Sequence, residues 1–122
     1  MTTTDYKNIK QAYKKIKNSE DIYKERRYYA TVDSNDGSYQ SASKLAGRIL
    51  NDLHYLDARG QLCGSFQVTL KHNRHDFGDY YSVEVYSVEL EVDDDSELYR
   101  TVTDYQDAGY EQLENIIKKY QS

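Results

Sequence analysis

Hydrophobic positions along this chain fall into blocks with two different periods. Tyr6, Ile9, Tyr13 and Ile16 recur at three- and four-residue spacing, which is one face of a helix, and lysines cover the opposite side. Thr3 or Thr4 is placed to cap that helix, and Asp5 suits its positive end. From about Ser41 to Ala58, the residues Ala42, Leu45, Ala46, Ile49, Leu50, Leu53 and Leu56 make a broader stripe, which predicts the main core helix. Gly60 follows where a left-handed residue would stop it. A third helix is predicted from Asp107, its cap, with Tyr110, Leu113, Ile116, Ile117 and Tyr120 on the core side. Lys118 and Lys119 lie at its negative end, as the helix dipole favours.

Between the helical blocks the period falls to two. Arg26 to Asp33 reads as a strand with Tyr29, Thr31 and Asp33 on one face and Tyr28, Ala30 and Val32 on the other. Ser34 to Ser38, SNDGS, is a loop made of turn residues. Leu62 to Lys71 is a second strand with Phe66, Val68 and Leu70 inward, and KHNRHDFGD forms a generous hairpin loop after it. Asp79 to Glu97 is a long third strand that runs out into an acidic cluster. In it Val83 and Val85 have one parity, while Val88, Leu90 and Val92 have the other. A bulge or sharp bend near Tyr86–Ser87 would return both sets to one core. Leu98 to Thr103 alternates Tyr99, Thr101 and Thr103 with Leu98, Arg100 and Val102, and is read as a fourth strand. The expected fold is a single α+β domain over residues 1–122. Its antiparallel sheet has about four strands, its three helices pack mainly on one face, and the element order is α-β-α-β-β-β-α.

Composition alters this picture in two respects. A mean hydropathy of -0.96 would by itself point to disorder, but the periodicity argues for a packed core. With 14 Tyr and 2 Phe, tyrosine takes over much of the aromatic role, either at core edges or on a contact surface. No apolar run is long enough to span a membrane, and the N-terminus has no apolar signal core. The single cysteine, Cys63, has no internal partner, which suits a reducing cytosol. The net charge is -5 and it is unevenly spread. Lys7, Lys10, Lys14, Lys15, Arg26 and Arg27 belong to a basic head, while Glu84 to Glu114 is acidic with Arg100 as its only base. The two regions either neutralise each other in space or leave an acidic face that seeks a basic partner.

Candidate chemistry is sparse. Asp76-Phe77-Gly78 spells a kinase motif, but no Gly-rich loop or strand lysine accompanies it. Gly78 there supplies a turn, and Phe77 is expected to tuck the loop onto the sheet. His54, Cys63, His72, His75 and Asp76 lack the spacing of a metal site, and no metal or other cofactor is expected. Cys63 next to Gly64 reads as a buried or edge thiol rather than a nucleophile. Asp93 to Asp95 lie in a wet run where nothing raises a pKa for acid catalysis, and the calcium-loop spacing is absent. SNDGS before the second helix offers generic backbone amides for a phosphate, without a P-loop or dinucleotide fingerprint. The expectation is a protein that is not an enzyme.

The acidic, tyrosine-bearing second half is the leading candidate surface. Glu89, Glu91, Asp93, Asp94, Asp95 and Glu97 form a track of carboxylates that can imitate phosphates, with Tyr86 and Tyr99 as aromatic anchors. The partner expected is a larger protein with a basic groove. The alternative is a small nucleic-acid-binding regulator using Lys7, Lys10, Lys14, Lys15, Arg26 and Arg27. The acidic half would repel a phosphate backbone, so nucleic acid is the lesser expectation. An exposed strand edge beside the acidic cluster also allows a homodimer by strand addition.

The short, acidic, tyrosine-rich, cysteine-poor make-up resembles the small accessory proteins of bacterial phages and mobile elements. Asn73 to Val85, NRHDFGDYYSVEV, resembles a hairpin of such proteins and covers little more than a tenth of the chain. Anti-CRISPR and other anti-defence inhibitors are the best-known class among them. The resemblance implies inhibition by binding, with acidic side chains set against the basic nucleic-acid site of a CRISPR effector or another nuclease. It also implies the cytoplasm of a bacterial host, and it transfers no catalytic residue.

Overall fold

The computed structural model describes residues 2–19, 22–76 and 78–121. Its elements are α1 (Thr3–Lys14), β1 (Tyr23–Asp33), α2 (Tyr39–Ala58), β2 (Phe66–His75), β3 (Gly78–Glu91) and α3 (Tyr99–Lys118). The class is α+β, as the periodicity predicts, with three helices and an antiparallel sheet. The sheet has three strands among the described residues, in the order β1-β3-β2, so the long acidic strand is the central one.

The expected fourth strand does not form. Leu98 to Thr103 leads into and opens α3, and the order becomes α-β-α-β-β-α. None of Tyr99, Thr101 and Thr103 is fully buried. Buried positions instead fall at Val102, Tyr105, Ala108, Gly109, Gln112, Leu113, Ile116 and Ile117, which is one helical stripe. Asp107 is therefore inside the helix rather than its cap. Before Leu98 the chain turns through the bonds Ser96 N–H to Asp93 C=O and Tyr99 N–H to Ser96 C=O. The Ser96 hydroxyl accepts from the Leu98 amide at 3.2 Å.

Helix α1 is capped by Thr2 rather than by Thr3 or Thr4. The Thr2 hydroxyl accepts from Asp5 N–H, and the Asp5 carboxylate accepts from Thr2 N–H at 3.0 Å, a reciprocal capping box. Helix α2 matches its predicted stripe, buries Ala42, Leu45, Ala46, Ile49 and Leu53, and is stopped at Gly60 with φ +69.

Strand β2 begins at Phe66 rather than Leu62 and runs to His75, with Gly78 opposite it. The polar residues expected in the hairpin loop, Lys71 to His75 and Gly78 to Asp79, instead continue the ladder. Phe77 lies outside the described residues. Strand β1 begins at Tyr23, and the sheet irregularity is here rather than at Tyr86–Ser87. Tyr28 pairs with Tyr86 and Ala30 with Val85, which leaves Tyr29 as the extra residue. The bulge corrects the predicted faces of β1: Tyr29 joins Ala30 and Val32 against the core, while Tyr28 hydrogen bonds Thr31 at 2.7 Å on the open side.

No bend in β3 is needed, because its two parities feed two cores. Val83 and Val85 pack under α2 and α3 with Val32, Ile49, Leu113 and Ile116. Leu90 packs instead with Tyr13, Cys63, Tyr105 and Ala108, where α1 lies on α3. Tyr13 and Tyr105 stack there with centroids 3.9 Å apart. No helix among the described residues is long and apolar enough to cross a membrane.

Candidate functional site

Strand β3 carries the acidic track toward α3, and pairing with β1 decides which of its carboxylates are free. Arg27 on β1 lies against β3 near Glu89 and Glu91. Its Nε is 2.9 Å from Glu89, and its Nη2 is 2.9 Å from both Glu91 and Glu25. Glu89 also accepts from the Tyr110 hydroxyl at 2.5 Å. Burial, then that hydrogen bond to Glu89, pushes the Tyr110 hydroxyl up to about 12. Glu89 and Glu91 are thus structural counter-ions. The basic head and the acidic strand neutralise each other at this point.

The carboxylates of the connection between Glu91 and α3 stand apart from these ion pairs. Asp93, Asp94, Asp95 and Glu97 are all exposed in the β3–α3 connection and form no salt bridge among the described residues. They precede the positive end of α3, which favours them electrostatically. Tyr99, 41% exposed on the first turn of α3, flanks them. It lines a shallow groove of about 280 Å³ with Leu90, Glu91, Val92, Val102 and Asp107. The Gln106 side chain pins the floor of this region by accepting from Leu90 N–H at 2.8 Å.

Tyr86 is not beside them. It sits on the open face of the sheet, where the Arg26 guanidinium lies 3.8 Å from its ring centroid and Tyr28 meets it edge-on at 6.0 Å. Its hydroxyl donates to Glu84 at 2.5 Å, and Lys71 reaches the same carboxylate at 3.4 Å. The structure therefore groups Asp93, Asp94, Asp95, Glu97 and Tyr99, and separates Glu89 and Tyr86 from them; Glu91 lines the same groove as Tyr99 but is paired with Arg27.

The basic set is also divided. Lys7, Lys14 and Lys15 are exposed on or just after α1, and Lys10 is half-buried near Cys63. Arg26 is on the open sheet face, and Arg27 is held by three carboxylates. These six residues do not make one surface.

Cys63 is fully buried, and burial pushes its thiol up to about 11. It lies in the α2–β2 connection, where the Gln112 side chain accepts from Cys63 N–H at 2.8 Å and donates to Gln61 C=O at 2.9 Å. This buried amide is absent from the sequence reading, which follows only apolar positions on α3. No group of three or more His, Cys, Asp or Glu that could hold a metal occurs among the described residues. His72 pairs with Asp79 at 3.1 Å and stacks on Tyr81, which places it in the hairpin scaffold.

Searches against protein families, curated proteins and solved structures found no match to this chain.

Proposed function

We propose that the protein acts by binding rather than by chemistry. In this reading, the β3–α3 connection presents Asp93, Asp94, Asp95 and Glu97 to the basic groove of a larger nucleic-acid-handling protein. A CRISPR effector or another phage-defence nuclease is the partner class. Tyr99 anchors the contact, and the carboxylates occupy positions that phosphates would otherwise fill.

One observation carries the reading: among the described residues these four carboxylates have no cationic partner, whereas Glu25, Glu89 and Glu91 share Arg27. Charges already paired within the fold have little left to offer a partner. Exposed unpaired ones steer association and set its salt dependence. The nucleic-acid alternative is weakened by the same contacts, since they take Arg27 out of the basic set.

The test is an affinity capture of the tagged protein from a bacterial lysate, with and without nuclease treatment. The expected result is a nuclease-resistant protein partner released by salt. Replacing Asp93, Asp94 and Asp95 together by lysine should weaken capture at least about tenfold while leaving the circular dichroism spectrum unchanged. Unaltered affinity in that variant would remove the acidic connection from the mechanism. Recovery of nucleic acid alone would shift the function to the lysines of α1.

A further inference from the structure

A second polar groove lies at the other end of α3, where the β1–α2 connection, α2 and the C-terminal end of α3 meet. Its volume is about 360 Å³, within the range that holds small ligands. Lys44 and Arg48 line it from α2, Lys119 and Tyr120 from the end of α3, and Asp33 and Ser34 from the end of β1. In a chain with net charge -5, this recess gathers three cations against a single lining carboxylate. Lys44 and Arg48 form no salt bridge among the described residues, whereas Lys119 is paired with Asp52 at 3.6 Å. Lys44 and Arg48, one turn apart on α2, lie on the same helix face.

Ser34 is an independent sign. Its hydroxyl oxygen is buried and has no hydrogen-bond partner, the only side-chain polar atom of that kind among the described residues. A buried hydroxyl without a partner is costly, and native folds rarely keep one unless a ligand or water satisfies it. Here it belongs to a residue lining a groove with three cations. A hydroxyl beside lysine and arginine is the donor set that recognises a phosphate group. The Tyr120 ring supplies an aromatic wall, and its orientation is fixed because its hydroxyl donates to Asp52 at 2.7 Å.

We propose that this groove binds the phosphate group of a small anionic ligand, through Lys44, Arg48 and Lys119, with the Ser34 hydroxyl turning from its buried position to donate. The volume exceeds that of the bare ion, so an organic phosphate with its remainder against Tyr120 fits the same site. The SNDGS segment, generic as a phosphate motif on its own, acquires a function through cations that α2 and α3 bring to it. The site is separate from the acidic β3–α3 connection and does not depend on it: α3 has 20 residues, so its ends are about 30 Å apart.

The experiment is an amide NMR titration of the full chain with inorganic phosphate and, separately, with a nucleoside monophosphate, at constant ionic strength held by chloride. Saturable shifts are expected at Ser34, Lys44 and Arg48, with no matching shifts on α1. Arg48→Glu and Lys44→Glu, both at exposed positions, should each weaken binding at least about tenfold. Ser34→Ala should weaken it less and leave the fold intact. Tighter binding of the nucleoside monophosphate identifies an organic phosphate as the occupant, and equal binding identifies the free ion. Absence of saturation, shifts centred on the α1 lysines, or unchanged affinity in the two glutamate variants would each overturn the proposal.

Discussion

At Gly109, in the middle of α3, a Cβ would stand 1.7 Å from the carbonyl oxygen of Cys63. No side chain fits there unless the α2–β2 connection moves, and that connection is held by both hydrogen bonds of Gln112. Gly109→Ala is expected to cost about 3 kcal/mol or more, despite alanine's higher helix propensity. Chemical denaturation would measure it, and a neutral or stabilising result would show that the connection yields freely. Cys63, on the other side of this contact, has a thiol raised to about 11 by burial. A thiol reagent should modify it only as fast as the protein opens. Rapid modification of the native state would contradict its burial. In the sequence Gly109 is only a weak helix position and Gln112 only a polar one. Their importance comes from a backbone segment that approaches from residues 61–63.

The helices differ in how they are held. Helices α2 and α3 pack on the sheet, whereas α1 rests on α3 through Tyr13, Tyr6 and Ile9 in the second core. The stack of Tyr13 on Tyr105 is the centre of that attachment. Tyr13→Ala should cost about 3 kcal/mol. It should release α1 before the rest, because α1 has no strand contact comparable to those of α2 and α3. Hydrogen exchange checks this: α1 amides should lose protection while β3 amides keep theirs. Equal loss across both would mean that the second core is not a separate unit. Helix α3 shows how the alternation in Leu98 to Thr103 misleads. Six residues fit either period, and only the 20-residue stripe with its buried face decides.

Across the molecule, tyrosine is the common material of both cores and of the open sheet face. Burial, the largest cause in each case, raises Tyr6, Tyr105 and Tyr110 from 10.0 to about 12. Hydrogen bonds to carboxylates, Glu111 for Tyr6 and Glu89 for Tyr110, add to this. The neutral hydroxyl is favoured in the folded state, so the unfolded chain loses these protons first as pH rises. The stability they support is fully present below 10.0 and is lost as pH climbs through the interval to about 12. Part of the tyrosinate absorbance should therefore appear only above the ordinary tyrosine range, in a cooperative step that accompanies alkaline unfolding. Absence of that late step would show that these three hydroxyls are not held by the fold.

The α+β class, the span of α2 and the inward residues of β2 were determined locally, because each rests on a period repeated over many neighbouring positions. The acidic run Asp93 to Asp95 was equally legible, since its members are adjacent in the chain. Its division from Glu89 and Glu91 was not, because Arg27 meets those two across a strand pair joined by more than sixty residues. The same holds for the bulge at Tyr29, the second core that receives Leu90, and the cation groove that assembles Ser34, Arg48 and Lys119. A residue's neighbours along the chain set its conformation. Which charges are neutralised, and which remain free for a partner, was decided only by contacts between distant segments.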